Sequence, residues 1–201
     1  MKLFSSPASP YVRKVRVTIR EAGLTEQVEE SVISTNLLDS DAGLVAANPL
    51  ARIPSLTRDD GPTLYDSRVI CRYLDDKGKA NLYPQSRIWE VLTLEATADG
   101  MLDSAVGGIS YEKRLRPAEK VMDEWMDAHW DKVARACKVI NDRWMSHLSG
   151  PVDMGQIAIG CTLGYLDFRH DERNWRQGCD ALSDWYATFK DRPSMKDTAP
   201  D

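Results

Sequence analysis

Asn48-Pro49-Leu50-Ala51-Arg52-Ile53-Pro54-Ser55-Leu56-Thr57 leads into Arg58-Asp59-Asp60-Gly61-Pro62 and then Thr63-Leu64-Tyr65, and the fold is decided in this stretch. Proline has no N–H to give to a ladder, so a strand here must open at Pro54 or lie at an edge. The Asp-Asp-Gly-Pro cluster reads as a hairpin turn, and Thr63 to Tyr65 as the returning strand. Asp66-Ser67 then opens a helix to about Lys77, with Val69, Ile70, Tyr73 and Leu74 as its apolar face. The local order is strand, strand, helix.

Upstream, Lys2 to Ser5 suits a short first strand, and Ser6-Pro7-Ala8-Ser9-Pro10 is a loop of turn residues. Ser9-Pro10 marks a helix start, with serine as cap and proline at the first helical position. Val12, Val15, Ile19 and Ala22 follow at spacings of three, four and three, which makes one apolar stripe. Arg13, Lys14, Arg16 and Arg20 lie off or beside it and read as a solvated helix face. Gly23 supplies the stop. Val28 to Ile33 is a second strand, and Asp41 to Ala47 has room for a short helix.

Downstream, Gly78 to Arg87 breaks the pattern. Residues 79–86 read as a linker between a first domain, 1–78, and a helical second domain, 87–201. One helix is expected from Ile88 to about Leu115, a second from Pro117 to about Leu148, and a third from Asp153 to about Phe168. The last covers Leu182 to Phe189, and a polar, loose tail follows. Val121, Trp125, Trp130, Val133, Ala134, Cys137, Ile140 and Trp144 give the second of these a broad apolar face, with the tryptophans in the core.

Hydrophobic residues make up 42% of the 201, enough for a sizeable core. The formal net charge of -5 argues against nucleic-acid or anionic-membrane partners, which need a clustered positive field. No apolar run approaches the ~20 residues of a membrane span. Met1 to Pro7 lacks the apolar stretch of a signal peptide, so a cytoplasmic protein is expected. Cys71, Cys137, Cys161 and Cys179 form no CxxC pair and read as buried thiols in a reducing compartment. His129, His147 and His170 lack metal-ligand spacing and read as surface or partly packed side chains.

The β-α-β then β-β-α order, with a proline opening the third strand, is a thioredoxin-like α/β arrangement, followed by an all-α domain. With Ser9-Pro10-Tyr11-Val12-Arg13-Lys14, Asn48 to Leu56, Asp66-Ser67 and Ile157-Ala158-Ile159-Gly160, the chain resembles a cytosolic glutathione transferase of the bacterial type. The joint order and spacing of these segments carry the resemblance. It implies a conjugating or isomerising transferase that uses glutathione as co-substrate, with no cofactor or metal, a small hydrophobic electrophile as second substrate, and a homodimer.

The resemblance also implies the site. A cis Pro54 would turn the Ile53 backbone outward, so that the cysteinyl part of glutathione pairs with it like an added strand. Asp66 would meet the γ-glutamyl ammonium, and Ser67, at a helix N-terminus, its carboxylate. The alternative for this pair is a plain helix cap with no ligand. Arg52 would meet the glycine carboxylate, or stand as a surface arginine. Ser9 matches the position where zeta- and theta-like transferases carry serine and omega-like ones cysteine. Two readings of Ser9 stand: it activates the glutathione thiol, or it only caps its helix. Ser5, Ser6 and Tyr11 are nearby alternatives. Serine at position 9 disfavours a glutathione-dependent reductase or peroxidase, since it forms no mixed disulfide. An intact ligand site disfavours a purely regulatory relative without turnover.

Two expectations concern the helical domain. The electrophile pocket should lie between the domains, lined by Met101, Leu102, Ala105, Ile109 and Tyr111, although the same stripe also suits helix-packing core. Asp153-Met154-Gly155-Gln156 should cap the third helix, and loss of the Asp153 cap should cost about 1 kcal/mol.

Overall fold

The computed structural model describes residues 1–200, which form two compact units. One comprises Met1–Pro84 together with the segment from Pro193 onward; the other is Gln85–Arg192.

The first unit is built on a four-stranded sheet: β1 (Lys2–Ser5), β2 (Glu29–Val32), β3 (Ser55–Arg58) and β4 (Gly61–Leu64), in the order β2-β1-β3-β4. β1 runs parallel to β2 and antiparallel to β3, and β3 is antiparallel to β4. This mixed order is the thioredoxin-like arrangement expected from the sequence. Helices α1 (Pro10–Glu21), α2 (Ala42–Ala47) and α3 (Ser67–Gly78) complete the first pass. Ser9 caps α1 with Pro10 behind it, and Gly23 turns the chain at φ +66°. Gly78 ends α3 against α1: a Cβ there would lie 2.5 Å from the Ala22 carbonyl oxygen, so only glycine permits the approach.

The apolar stripe of α1 is buried as expected, and so are two of the charges beside it. Arg13 is 4% and Lys14 1% exposed. The solvated face assigned to them is corrected, for Arg13 by a segment far away in sequence that accepts its hydrogen bond. A short helix, Pro193–Lys196, and the residues after it pack on α1, with Met195 and Thr198 fully buried. The tail is therefore not loose, and it belongs with the first unit rather than with the helices that precede it. On α3, Ile70, Cys71 and Leu74 are buried, but Val69 points outward at 47% exposure.

The second unit is all helical: α4 (Ile88–Leu102), α5 (Tyr111–Leu115), α6 (Asp123–Arg143), α7 (Met145–Leu148), α8 (Met154–His170) and α9 (Asp180–Phe189). The Pro193–Lys196 helix of the first unit is α10. Between α4 and α5 the chain stays helical but widens into a π-helical turn over Asp103–Ser110. The expected helix from 117 to 148 is shorter at its start, because a 3₁₀ turn at Ala118–Lys120 precedes α6. α8 is buried along nearly its whole length, as a helix apolar on all sides must be. Trp125 is 51% exposed, so it is not core. His170, at 1% exposure, is buried rather than superficial.

Candidate functional site

Strand direction gathers the implicated residues of the first unit. Phe4, near the end of β1, pairs with Ser55, the first residue of β3. Leu64, the last of β4, pairs with Leu56 near that same start. The chain therefore leaves β1 toward Ser9, enters β3 from Ile53-Pro54, and leaves β4 toward Asp66-Ser67, all at one end of the sheet. The N-termini of α1 and α3 lie at this end too, and helix N-termini attract anions.

Ile53–Pro54 is a cis bond. The β1–β3 register begins at Ser55, so the Ile53 backbone stands outside the ladder. The preceding loop is held by Asn48, a residue the sequence reading did not single out. Asn48 is 1% exposed. Its Nδ2 donates to the Arg52 carbonyl and to Ser55 Oγ, each at 3.0 Å, and its Oδ1 accepts from the Leu50 amide. Ser55 Oγ donates in turn to the Arg52 carbonyl at 2.9 Å. These bonds fix the entry to Pro54 without using the Ile53 main chain. Arg52 contributes its carbonyl to this lock, while its side chain is exposed.

Ser9 Oγ accepts the Val12 amide at 3.3 Å, a long cap bond. Capping occupies a lone pair and leaves the hydroxyl proton free to donate. Ser5, one of the alternatives, is buried and donates to the Glu30 carboxylate. Asp66 caps α3 by accepting the Arg68 amide at 3.0 Å, and the Arg68 guanidinium binds its carboxylate at 2.8 Å. Partial burial pushes the Asp66 pKa up, but the Arg68 bonds and charge, helped by Lys14, outweigh it and hold the carboxyl below its ordinary range. Asp66 is thus anionic and offers remaining lone pairs to a further cation. Ser67 is 3% exposed at the first position of α3. In the other unit, Met101, Leu102, Ala105 and Ile109 are buried and Tyr111 is 37% exposed, which favours packing core for the first four.

The sheet order, the cis proline at the start of β3 and the helical second unit define a thioredoxin-like domain joined to an all-helical one. Comparison with known families agrees. Residues 8–77 match the glutathione S-transferase N-terminal domain and residues 123–188 the C-terminal domain. The chain belongs to the glutathione S-transferase family. A crystal structure of a family member from Pseudomonas fluorescens Pf-5, with bound glutathione, is 43% identical. It superposes with a TM-score of 0.96, covering 100% of this chain and 98% of that one. A glutathione S-transferase from Methylobacillus flagellatus KT, with glutathione bound, is 35% identical with a TM-score of 0.86, over 100% and 99% of the two chains. The uncharacterized GST-like protein YibF of Escherichia coli K12 is 29% identical over 180 residues, 87% of this chain and 86% of its own length.

Proposed function

We propose that this protein binds glutathione at the carboxyl end of β1 and transfers it, as a thiolate, to a small hydrophobic electrophile. The observation that carries the reading is the convergence of three features on one end of the sheet: Ser9 at the start of α1, the free Ile53 backbone before cis Pro54, and Asp66-Ser67 at the start of α3. The relatives solved with glutathione support it.

In this reading the cysteinyl main chain pairs with Ile53 as an added strand. The γ-glutamyl ammonium meets the Asp66 carboxylate, and its carboxylate meets Ser67 and the open amides of α3. Arg52 is exposed at the rim and meets the glycine carboxylate. The sulfur lies by Ser9. A free thiol of pKa about 8.5 is only about 3% ionised at pH 7, and lowering the pKa by two units takes about 2.7 kcal/mol. A charge-assisted hydrogen bond supplies about 1.5–3 kcal/mol, so Ser9 together with the α1 N-terminus is sufficient. The thiolate attacks the electrophilic carbon; the leaving group departs with the bonding pair, or an isomerised product releases the thiolate again. Glutathione is consumed as co-substrate, and the reading calls for no metal. We place the protein in the cytoplasm as a homodimer, on the strength of the family resemblance.

Retention on immobilised glutathione, reversed by free glutathione, tests the pocket. Turnover of an aryl halide or an isothiocyanate tests the chemistry. Ser9→Ala should lower the rate about 10- to 100-fold, the worth of one charge-assisted bond. A variant that keeps the full rate makes Ser9 only a cap, and a folded protein that ignores the resin overturns the pocket.

A further inference from the structure

Helix α1 carries Ser9 at its start and is clamped along its length by the segment Pro193–Thr198. Arg13 donates from Nη2 to the Met195 carbonyl at 3.0 Å, in a buried bond. Ser194 Oγ donates to the Glu21 carboxylate at 2.5 Å, and the Thr198 hydroxyl closes the segment on itself through the Ser194 carbonyl at 2.8 Å. Arg20 faces Asp197 at 3.9 Å. Arg13 Nε is buried with no hydrogen-bond partner among the described residues, and the Nη2 bond to the Met195 carbonyl ties the guanidinium to the segment. The Arg13 amide donates to the Ser9 carbonyl at 2.9 Å, so the main chain of Arg13 closes the first turn of α1 on Ser9.

We infer that Pro193–Thr198 is a strap whose anchor, Arg13, is a positioning residue for Ser9: it fixes the start of α1 and holds a shielded positive charge one helical turn behind it. The inference rests on the glutathione reading of that end. A charge placed one turn along α1 lies about 6 Å further down the axis. At about 10 Å from the sulfur and an effective dielectric near 20, it favours a thiolate by about one pH unit. Removing the strap opens Arg13 to water, which screens the charge and frees the helix start.

The test compares the intact chain, Arg13→Met, Arg13→Lys and a chain ending at Arg192. Ultraviolet absorbance of the bound glutathione thiolate is followed against pH, beside glutathione affinity and melting temperature. Arg13→Met should raise the bound thiol pKa by about one unit and weaken glutathione binding several-fold. Arg13→Lys, which restores a charge and a donor, should recover most of both. The shortened chain should behave like Arg13→Met if it folds, and Arg13→Met, a full-length variant, carries the test if it does not. A lower melting temperature with thiol pKa and affinity unchanged overturns the inference, because the strap then only stabilises. If the intact protein itself does not bind glutathione, the functional reading fails instead. The strap is then judged by amide exchange at Val12 to Lys14, which must speed up in Arg13→Met.

Discussion

Ser9 caps α1 and keeps a hydroxyl proton for the thiol role proposed for it. Its lone pair receives the Val12 amide while its proton remains available, so capping and thiol activation do not compete. The sequence supplied both readings of Ser9 and no means of joining them, because hydrogen-bond direction is a property of coordinates. The burial of Arg13 is hidden for a related reason: periodicity reports the face turned to the nearest core, and nothing in residues 10–21 announces a cover from residues near 195. Asn48 was equally silent, since an asparagine before Pro49 looks like ordinary turn chemistry until its three bonds are seen. The cysteines were legible. All four are buried thiols outside any disulfide among the described residues. Burial, with the Cys179 sulfur nearby, pushes the Cys137 thiol up to about 12, and burial also raises Cys179. Reactive thiolate is therefore scarce at neutral pH. A chromogenic disulfide reagent should find essentially no thiol in the native protein within minutes and all four in urea; fast native labelling would contradict the buried assignment.

At the scale of elements, Asp153 does more than cap α8. Its carboxylate is fully buried. It accepts from the Gln156 amide at 3.2 Å, from His147 Nε2 at 2.9 Å and from Arg87 at 3.2 Å. Removing one partner of such a cluster leaves buried charge behind, so Asp153→Ala should cost about 3–5 kcal/mol rather than the cap's 1. Urea unfolding measures it, and a loss below 1 kcal/mol would reduce Asp153 to a cap. The capping pattern was visible in the sequence; the partners from residues 87 and 147 were not. The π-helical turn was also hidden, because one wide turn hardly disturbs an apolar period. It is tied to α8: Ser110 Oγ lies 2.8 Å from the Tyr165 hydroxyl and 3.2 Å from His170 Nε2, and that nitrogen also meets the Ala105 carbonyl at 3.1 Å. Burial pulls the His170 pKa below its usual value, more than the Ala105 carbonyl and Glu172 raise it. The unfolded chain, with histidine near 6.5, therefore takes up protons that the folded chain refuses. Stability from His170 is complete above about pH 6.5 and declines as the pH falls below it. Unfolding free energies between pH 7.5 and 5 should show this decline, and His170→Asn should flatten it; an unchanged slope would remove His170 from the account.

At the scale of the whole molecule, the alternation of strands and helices over the first 78 residues was readable because each element is local. Short strands bounded by turn residues and helices opened by Ser9-Pro10 and Asp66-Ser67 carry their own punctuation. The return of Pro193 onward to the first unit was unreadable, since it depends on contacts nearly the length of the chain apart. Among the described residues no helix is long and apolar enough to cross a membrane. Family membership fixes the kind of protein, and the glutathione site proposed for it is the arrangement at one end of the sheet. The measurement that bears most directly on that claim is a crystal structure with glutathione soaked in. The account predicts the cysteinyl main chain paired with Ile53, the γ-glutamyl group on Asp66 and Ser67, and the sulfur within about 3.5 Å of Ser9 Oγ, the reach of a hydrogen bond to sulfur. Glutathione seated elsewhere, or a sulfur turned away from Ser9, would contradict it.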